Sequence, residues 1–439
     1  ADQIRHRRIA GCKGDSPVAL KMQPSLQEWQ TKLESMDPRK IELGLDRVKS
    51  VFDRLAIQLS GKIILIAGTN GKGSTVAVLE ALLLQQRASV GAYTSPHLQY
   101  FNERARYNGQ VASDEDLVVA FNKVEAARGD IPLTYFEFTT LAVILYFAEK
   151  KPDYMIYEVG LGGRLDAVNI LDPAIAVITG VALDHTDWLG PNEESIGYEK
   201  AGIYRAGRPA IFAGREIPQT VRQRVSDIGA LPFLRAEQIE CLEQAGGVIF
   251  QVQDAQGQEQ RIKVTAPRLP EDSILAALAA YRLLGFDLTD ETAEIISRVE
   301  LPGRFQHKLF NTVPIILDVA HNPQAARYLA NNLKKEPAKS GQRAAITGVM
   351  ADKPIKEIFE PLCPEINDWY LVVPDISRAA SLQTMHQKLL DLGVSPACIH
   401  DVGEVKALEP LIGKMSAAVV FGSFYTVGEF LDNFGDRLE

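Results

Sequence analysis

Cysteine is scarce in this chain: the four present, Cys12, Cys241, Cys363 and Cys398, lie far apart, and no two have Cys-x-x-Cys spacing. Neither a disulfide framework nor a cysteine-built zinc site is indicated, and a reducing cytoplasm fits best. Long apolar runs are also missing. No stretch reaches the ~18 residues that would span a bilayer, and the polar N-terminus has no signal-peptide core, so membrane insertion and secretion are not expected. Nor is positive charge in excess: 47 basic residues stand against 56 acidic ones, for a net charge of −9. This disfavours broad binding along a nucleic-acid backbone, and an anionic ligand would need a locally positive pocket. Internal repeats and low-complexity tracts are absent. What remains is ordinary globular usage, 46% hydrophobic and 23% charged over 439 residues, enough for roughly two to four domains of ~150 residues each.

Residues 1–21 mix basic side chains, Gly and Pro without periodicity, and are expected to form a flexible extension upstream of a start at Met22. From Ser25 to about Leu59 the pattern is that of amphipathic helix, with Trp29, Leu33 and Met36 three or four apart, broken around Ile41-Glu42-Leu43-Gly44. Residues 63–67 then read as a short buried strand, followed by a glycine-rich loop and an apolar helix over 76–84. The alternation returns at 154–159, 175–179 and 209–213, which predicts a mostly parallel α/β sheet flanked by helices. Residues 231–264 predict a small antiparallel excursion. After Leu301-Pro302-Gly303-Arg304-Phe305 a second α/β run holds candidate strands at 314–319, 344–347, 369–373 and 417–421, with Asn322-Pro323 as a helix cap and first turn. A boundary near residue 300 divides the chain into domains 22–300 and 301–439.

The strongest chemical signal is Gly68-Thr69-Asn70-Gly71-Lys72-Gly73-Ser74-Thr75 between strand and helix. Glycines let the backbone approach phosphates, the helix N-terminus supplies free N–H groups, and Lys72 adds a mobile positive charge. The run departs from the G-x-x-x-x-G-K-[ST] template, because Gly73 follows Lys72 and Ile66 stands at the first glycine position; a generic glycine-rich turn is the alternative. Ser95, Glu158 and His185 bring a hydroxyl, a carboxylate and an imidazole to predicted strand ends or loops. Magnesium prefers oxygen ligands, so Glu158 is the natural anchor, whereas His185 taken alone reads as a capping or structural histidine. Lys200 taken alone is a helix-surface lysine. Arg304 can neutralise phosphate and Asp318 can accept ribose hydroxyls, or the two can form an interdomain salt bridge. Tyr135 and Phe136 beside Glu137 offer stacking and hydrogen bonding to a flat heterocycle, or else core packing. His6, His307, His386 and His400 read as surface or packing residues.

The glycine-rich loop does not stand alone. Ser95-Pro96-His97-Leu98, the stretch from Glu158 to Asn169, Leu183-Asp184-His185-Thr186-Asp187-Trp188-Leu189-Gly190, Glu199-Lys200-Ala201-Gly202-Ile203, Leu301–Phe305 and Asp318-Val319-Ala320-His321-Asn322-Pro323 follow it in order. From about Leu33 to the C-terminus this series resembles the Mur ligase superfamily and, within it, the folylpolyglutamate synthases, the bifunctional dihydrofolate synthases of bacteria among them. The resemblance implies a two-domain Mur-ligase-like architecture: an N-terminal P-loop-type ATPase domain and a smaller C-terminal Rossmann-like α/β domain. It implies an ATP-dependent amide ligase that joins L-glutamate to dihydropteroate, and to the γ-carboxyl of reduced folates, through an acyl phosphate. ATP and Mg²⁺ are the implied cofactors, with no nucleic-acid or membrane partner and a monomeric state.

Residue by residue, the resemblance assigns Gly71, Lys72, Gly73, Ser74, Arg304 and Asp318 to the nucleotide. Ser273 stands where the family carries an adenine-side asparagine and is assigned with them, its hydroxyl able to donate a hydrogen bond. It assigns Ser95, Glu158 and His185 to magnesium, and makes Lys72, His185 and Lys200 catalytic, Lys200 as a carbamate that ligates a second ion. Dihydropteroate falls to Ile41, Glu42 and Leu43, to Thr134, Tyr135, Phe136 and Glu137, and to Leu165, Asp166 and Ala167. Two alternatives stand beside this: a folylpolyglutamate synthase without dihydropteroate activity, and a regulatory protein that binds nucleotide without turnover. The retained Lys72, Glu158, His185 and Lys200 argue against the second.

Overall fold

The computed structural model describes residues 24–35, 42–338 and 341–439. The expected extension at 1–21, the start at Met22, and Met36 and Ile41 lie outside the described residues. The amphipathic pattern that follows forms two helices, Leu26–Ser35 and Asp46–Leu55.

The first sheet has eight strands: β1 (Lys62–Ala67), β2 (Val90–Tyr93), β3 (Ala105–Tyr107), β4 (Gln110–Val111), β5 (Tyr154–Glu158), β6 (Ile175–Ile178), β7 (Pro209–Phe212) and β8 (Leu231–Leu234). Their order is β4-β3-β2-β5-β1-β6-β7-β8, parallel from β2 to β8, with β3 and β4 added antiparallel at one edge. β1 is buried on both faces. Leu65 and Ala67 pack into one apolar layer and Ile64 and Ile66 into the other, as the period of two requires. The helices Asp114–Arg128 and Tyr135–Lys150 fill the first layer; Lys72–Gln85 and Glu271–Leu283 fill the second.

A three-stranded antiparallel sheet, β9 (Ile239–Gln244), β10 (Gly247–Gln253) and β11 (Glu259–Val264), packs beside the helix Glu271–Leu283. The third sheet holds β12 (Gln306–Phe310), β13 (Val313–Leu317), β14 (Ala344–Thr347), β15 (Asp368–Val372), β16 (Ile399–Gly403) and β17 (Ala418–Phe421) in the order β12-β13-β17-β14-β15-β16. It is parallel except for the β12–β13 pair. No helix among the described residues is long and apolar enough to cross a membrane.

Three expectations need correction. Residues 231–234 belong to the first sheet, not to the antiparallel excursion: β8 pairs parallel with β7. Pro232, which has no N–H to donate, is tolerated because β8 is an edge strand. The helix after the glycine-rich loop begins at Lys72 rather than Val76, since its first turn is glycine and serine and carries no apolar signal. β2 and β16 were not expected. β2 is only four residues long with Gly91 inside it, where a Cβ would sit 3.0 Å from the Phe147 ring; β16 is a polar edge strand.

Phe147 is fully buried and meets the rings of Tyr146 and Tyr157 in the first apolar layer. Phe147→Ala leaves a cavity that the surrounding sheet cannot close, and should cost about 3–5 kcal/mol. A thermal melt within error of wild type would show that this layer does not hold the sheet.

Candidate active site

Parallel strands deliver their following loops to one edge, and the site is built there. β1 leads into residues 68–71, β2 into Ser95, β5 ends on Glu158, and β6 leads into Thr179 and the loop carrying Asp184 and His185. From the third sheet, β13 leads into Asp318, β14 into the loop with Lys353, and β17 into Ser423 and Phe424. The two edges meet. Lys353 Nζ lies 2.6 Å from Asp184 Oδ1, both side chains buried. Asn70 and Asn322 exchange side-chain hydrogen bonds at 3.2 and 2.8 Å, and Asn70 Nδ2 also donates to Gln324 Oε1.

The glycine-rich loop is held from below. Thr179 Oγ1 donates to the Asn70 carbonyl at 2.6 Å, and a Cβ on Gly68 would sit 1.8 Å from that hydroxyl oxygen. Gly71 caps the helix Lys72–Gln85 at φ +83, where glycine is favoured. Beneath it Ser273 Oγ donates to the Gly71 carbonyl at 3.2 Å, and Thr75 Oγ1 donates to the Ser273 carbonyl at 3.2 Å. Ser273 therefore braces the loop with the hydroxyl that the sequence left available for a base. Lys72 Nζ folds onto the carbonyls of Gly68 and Thr69, at 3.1 and 3.3 Å. The N–H groups of the helix's first turn have no partner within the helix.

Ser74 Oγ, in that first turn, is buried with no hydrogen-bond partner, a cost that a ligand would remove. Glu158 Oε2 accepts from the Ser95 N–H at 3.1 Å and lies beside Gly73. Burial raises the Glu158 pKa, with Lys72, the Ser95 N–H, Arg304 and Arg106 opposing. Around Gly73, Ser95, Glu158, Leu301, Arg304 and Phe424 there is an open cleft of about 480 Å³. Among the described residues no group of three or more His, Cys, Asp or Glu side chains is placed to hold a metal ion by itself. A divalent ion here would draw on hydroxyl and carboxylate oxygens completed by phosphate and water, which is the mixture magnesium takes. The residues fit that ion.

His185 takes φ +51 at the start of the short helix Thr186–Leu189, a left-handed conformation uncommon for a residue with a side chain. Desolvation pushes its imidazole down to about 4, with Asp184 opposing and Lys353 and Lys72 assisting. It is neutral at physiological pH and has a lone pair to offer. His321 behaves alike: its Nδ1 lies 2.9 Å from the Val319 carbonyl, which only accepts, so the proton sits on Nδ1.

Lys200 is not a surface residue. It is 3% exposed, pinned where Gly163 and Gly202 let the 158–169 segment close on its helix, Glu193–Ala201, and where Arg164 pairs with Glu199 at 2.8 Å. Desolvation, then Lys72, lower its pKa to about 7, against Asp184 and Asp166. Asp166 caps the turn Ala167–Ile170, accepting from the Leu161 and Val168 N–H groups, and burial still pushes it up to about 6.

Arg304 and Asp318 are not spent on a salt bridge between domains. Asp318 accepts from the N–H groups of Phe305 and Ala320, both at 2.8 Å, while Arg304 donates to the Gly303 carbonyl and lies 4.9 Å over the Phe424 ring. Burial raises the Asp318 pKa, with Arg304 opposing.

The three segments suggested for the acceptor converge. Thr134 and Glu137 form a capping box on the helix Tyr135–Lys150. Arg47, which sequence reasoning passed over, donates to Glu137 Oε1 at 3.1 Å and to the Glu42 carbonyl at 2.9 Å. Glu137 thus carries a cap and an ion pair already. Phe136 lies against Gly160, where a Cβ would sit 2.5 Å from its ring, and stacks on Tyr93 at 6.1 Å. The turn with Ala167 packs on the same helix. Leu43 and Leu165 are half-buried beside these segments, and Tyr135 lies under Arg104 at 5.4 Å. Lys353, Glu103 and Arg104 were likewise not singled out; a lysine in the loop after a parallel strand was the available signal for the first.

Known proteins share both halves of this chain. Residues 66–226 match the Mur ligase middle domain and residues 303–424 the Mur ligase glutamate ligase domain. The dihydrofolate synthase/folylpolyglutamate synthase of Escherichia coli is 38% identical, over 93% of this chain and 95% of its own. The structure of E. coli FolC in complex with DHPP and ADP superposes with a TM-score of 0.85 at 37% identity, covering 94% of this chain and 98% of that one. A bifunctional folylpolyglutamate synthase/dihydrofolate synthase with Mn, AMPPNP and L-glutamate bound gives 0.84 at 37% identity, with the same coverage.

Glu158→Gln keeps the side-chain volume and removes the charge. Divalent-cation affinity, measured directly with a nucleotide analogue present, should fall by at least ~10-fold. Titrations that superimpose on wild type would leave Glu158 a purely structural carboxylate.

Proposed function

The chain belongs to the dihydrofolate synthase/folylpolyglutamate synthase family of Mur ligases, and on that premise we propose that it joins L-glutamate to dihydropteroate and to the γ-carboxyl of tetrahydrofolate. It is an ATP-dependent amide ligase. The observation that carries the reading is the meeting of the glycine-rich loop, the buried Glu158 and the unpartnered Ser74 hydroxyl at the edge shared by both sheets.

A carboxylate is a poor electrophile. An oxygen of the acceptor carboxylate attacks the γ-phosphorus of ATP, ADP leaves, and an acyl phosphate forms. The glutamate amine then attacks the acyl carbon, and phosphate departs from the tetrahedral intermediate. The protein's part is positioning and charge balance. Lys72, released from the loop carbonyls, neutralises the transferring phosphoryl group, and Arg304 adds a second positive charge from the C-terminal side. Asp318 suits the ribose. Ser95, Glu158 and His185 would hold the divalent cation, which supplies Lewis acidity and a template for the phosphates. Phe136 and the Asp166 turn offer the face and edge for the pterin-like ring.

Lys200 fits a carbamate. Only a neutral amine adds to CO₂, releasing a proton as the N–C bond forms, and a lysine lowered to about 7 is substantially neutral at cellular pH. The product is an oxygen donor suited to a second cation. A division near residue 300 has the first and third sheets on either side of it, and a nucleotide held by Lys72 on one side and Arg304 on the other would brace 22–300 against 301–439. A cytoplasmic monomer is part of this reading.

Two tests follow from these roles. Phe136→Ala should lower kcat/KM for dihydropteroate more than for tetrahydrofolate, since the ring face serves the smaller acceptor. Equal losses would reduce Phe136 to shared packing, and no dihydropteroate turnover by wild type would favour the monofunctional alternative. Lys200→Arg retains charge but cannot form the carbamate, and should lose turnover by orders of magnitude. Short carboxylates added to Lys200→Ala should restore part of it, while full activity in the arginine variant would contradict the modification.

A further inference from the structure

Residues 94–104, between β2 and β3, perform two tasks with one length of backbone. At the start, the Ser95 N–H donates to Glu158 Oε2 at 3.1 Å. Three residues on, Leu98 packs against the core of the third sheet, close to Gly303. The helix Phe424–Phe434 meets it there through Gly428: a Cβ at that position would lie 2.3 Å from the Leu98 carbonyl oxygen. That oxygen is a backbone atom and cannot rotate away as a side chain would. Next to it Gln99 Nε2 donates to Asp432 Oδ1 at 2.9 Å.

A single carboxylate fixes the bend of this strap. Glu103 accepts three backbone N–H groups: Leu98 at 2.7 Å on Oε2, and Gln99 at 2.9 Å and Tyr100 at 2.8 Å on Oε1. Bonds to an ionised acceptor are the stronger kind. Arg104 Nε donates to His97 Nδ1 at 2.8 Å, tying the intervening residue to the same turn. Only Pro96 and His97 separate Ser95 from the clamped Leu98, so a shift at Leu98 is transmitted to Ser95 and not absorbed between them.

We propose that the 94–104 strap mechanically links the divalent-cation anchor to the C-terminal half, with Glu103 and Gly428 as positioning residues. The seat of Leu98 on the helix Phe424–Phe434 sets the backbone from which Ser95 faces Glu158. The inference rests on the reading of Ser95 and Glu158 as that anchor. It has a specific consequence: a substitution in the helix Phe424–Phe434 at a position that offers the cation no donor changes how tightly the cation is held.

The test is direct Mn²⁺ binding to the full-length protein loaded with AMPPNP, read from the electron paramagnetic resonance signal of free Mn²⁺, for wild type, Gly428→Ala, Leu98→Ala and Glu103→Gln. Alanine favours a helix interior over glycine, so a folded Gly428→Ala protein isolates the push on Leu98. Leu98→Ala releases the same contact without a clash and keeps the test open if Gly428→Ala does not fold. The Mn²⁺ dissociation constant is expected to rise about tenfold in the variants, the usual consequence of disturbing an outer partner of a metal ligand, while AMPPNP affinity without metal is unchanged. A merely structural role would lower the melting temperature and leave the Mn²⁺ isotherm alone. Isotherms of the folded variants that superimpose on wild type overturn the link and leave the anchor standing. Absence of nucleotide-dependent Mn²⁺ binding in wild type overturns the anchor, and the link with it.

Discussion

Lys72 is the charge to which the buried groups of the cleft respond. It opposes the burial-driven rise in the pKa of Glu158 and Asp166, and it adds to the lowering of the pKa of His185 and Lys200. Its ammonium rests on two loop carbonyls. Each of these groups has been taken from water at a cost that partners must offset. A polyanion and a divalent cation arriving together would offset charges of both signs. In the proposed reaction their binding is one electrostatic event.

That event needs both sheets. The first contributes the loop, Glu158 and His185; the third contributes Arg304, Asp318 and Lys353. Their carboxyl edges are joined by the Asp184–Lys353 pair and the reciprocal Asn70–Asn322 amides. A buried ion pair of this kind is costly to break at one end and adds little beyond a well-packed apolar contact; its value lies in fixing how the edges face each other. Gly68 and Gly71 serve the same end at shorter range, since no other side chain fits above Thr179 and Ser273.

Much of this was legible in the sequence because it rests on short-range rules. The buried strand at 63–67, the loop after it and the two α/β runs follow from apolar continuity and glycine placement. β2 and β16 were not legible: one is short and contains a glycine, the other is polar, and both are strands because neighbouring strands offer them partners. Lys200 read as a surface lysine because its burial comes from a loop some thirty residues upstream. Arg47 and Lys353 were missed for the same reason, as their partners Glu137 and Asp184 are distant in sequence. His185 carried a family signal; its left-handed backbone is visible only in three dimensions.

The most direct test of the account as a whole is glutamate-dependent ADP release by the purified protein with dihydropteroate, with tetrahydrofolate, and with no acceptor. The account predicts magnesium-dependent release with each acceptor and none without one, because the acceptor carboxylate is the nucleophile that takes the phosphoryl group. Release at the same rate with no acceptor, or none under any of the three conditions, would contradict it.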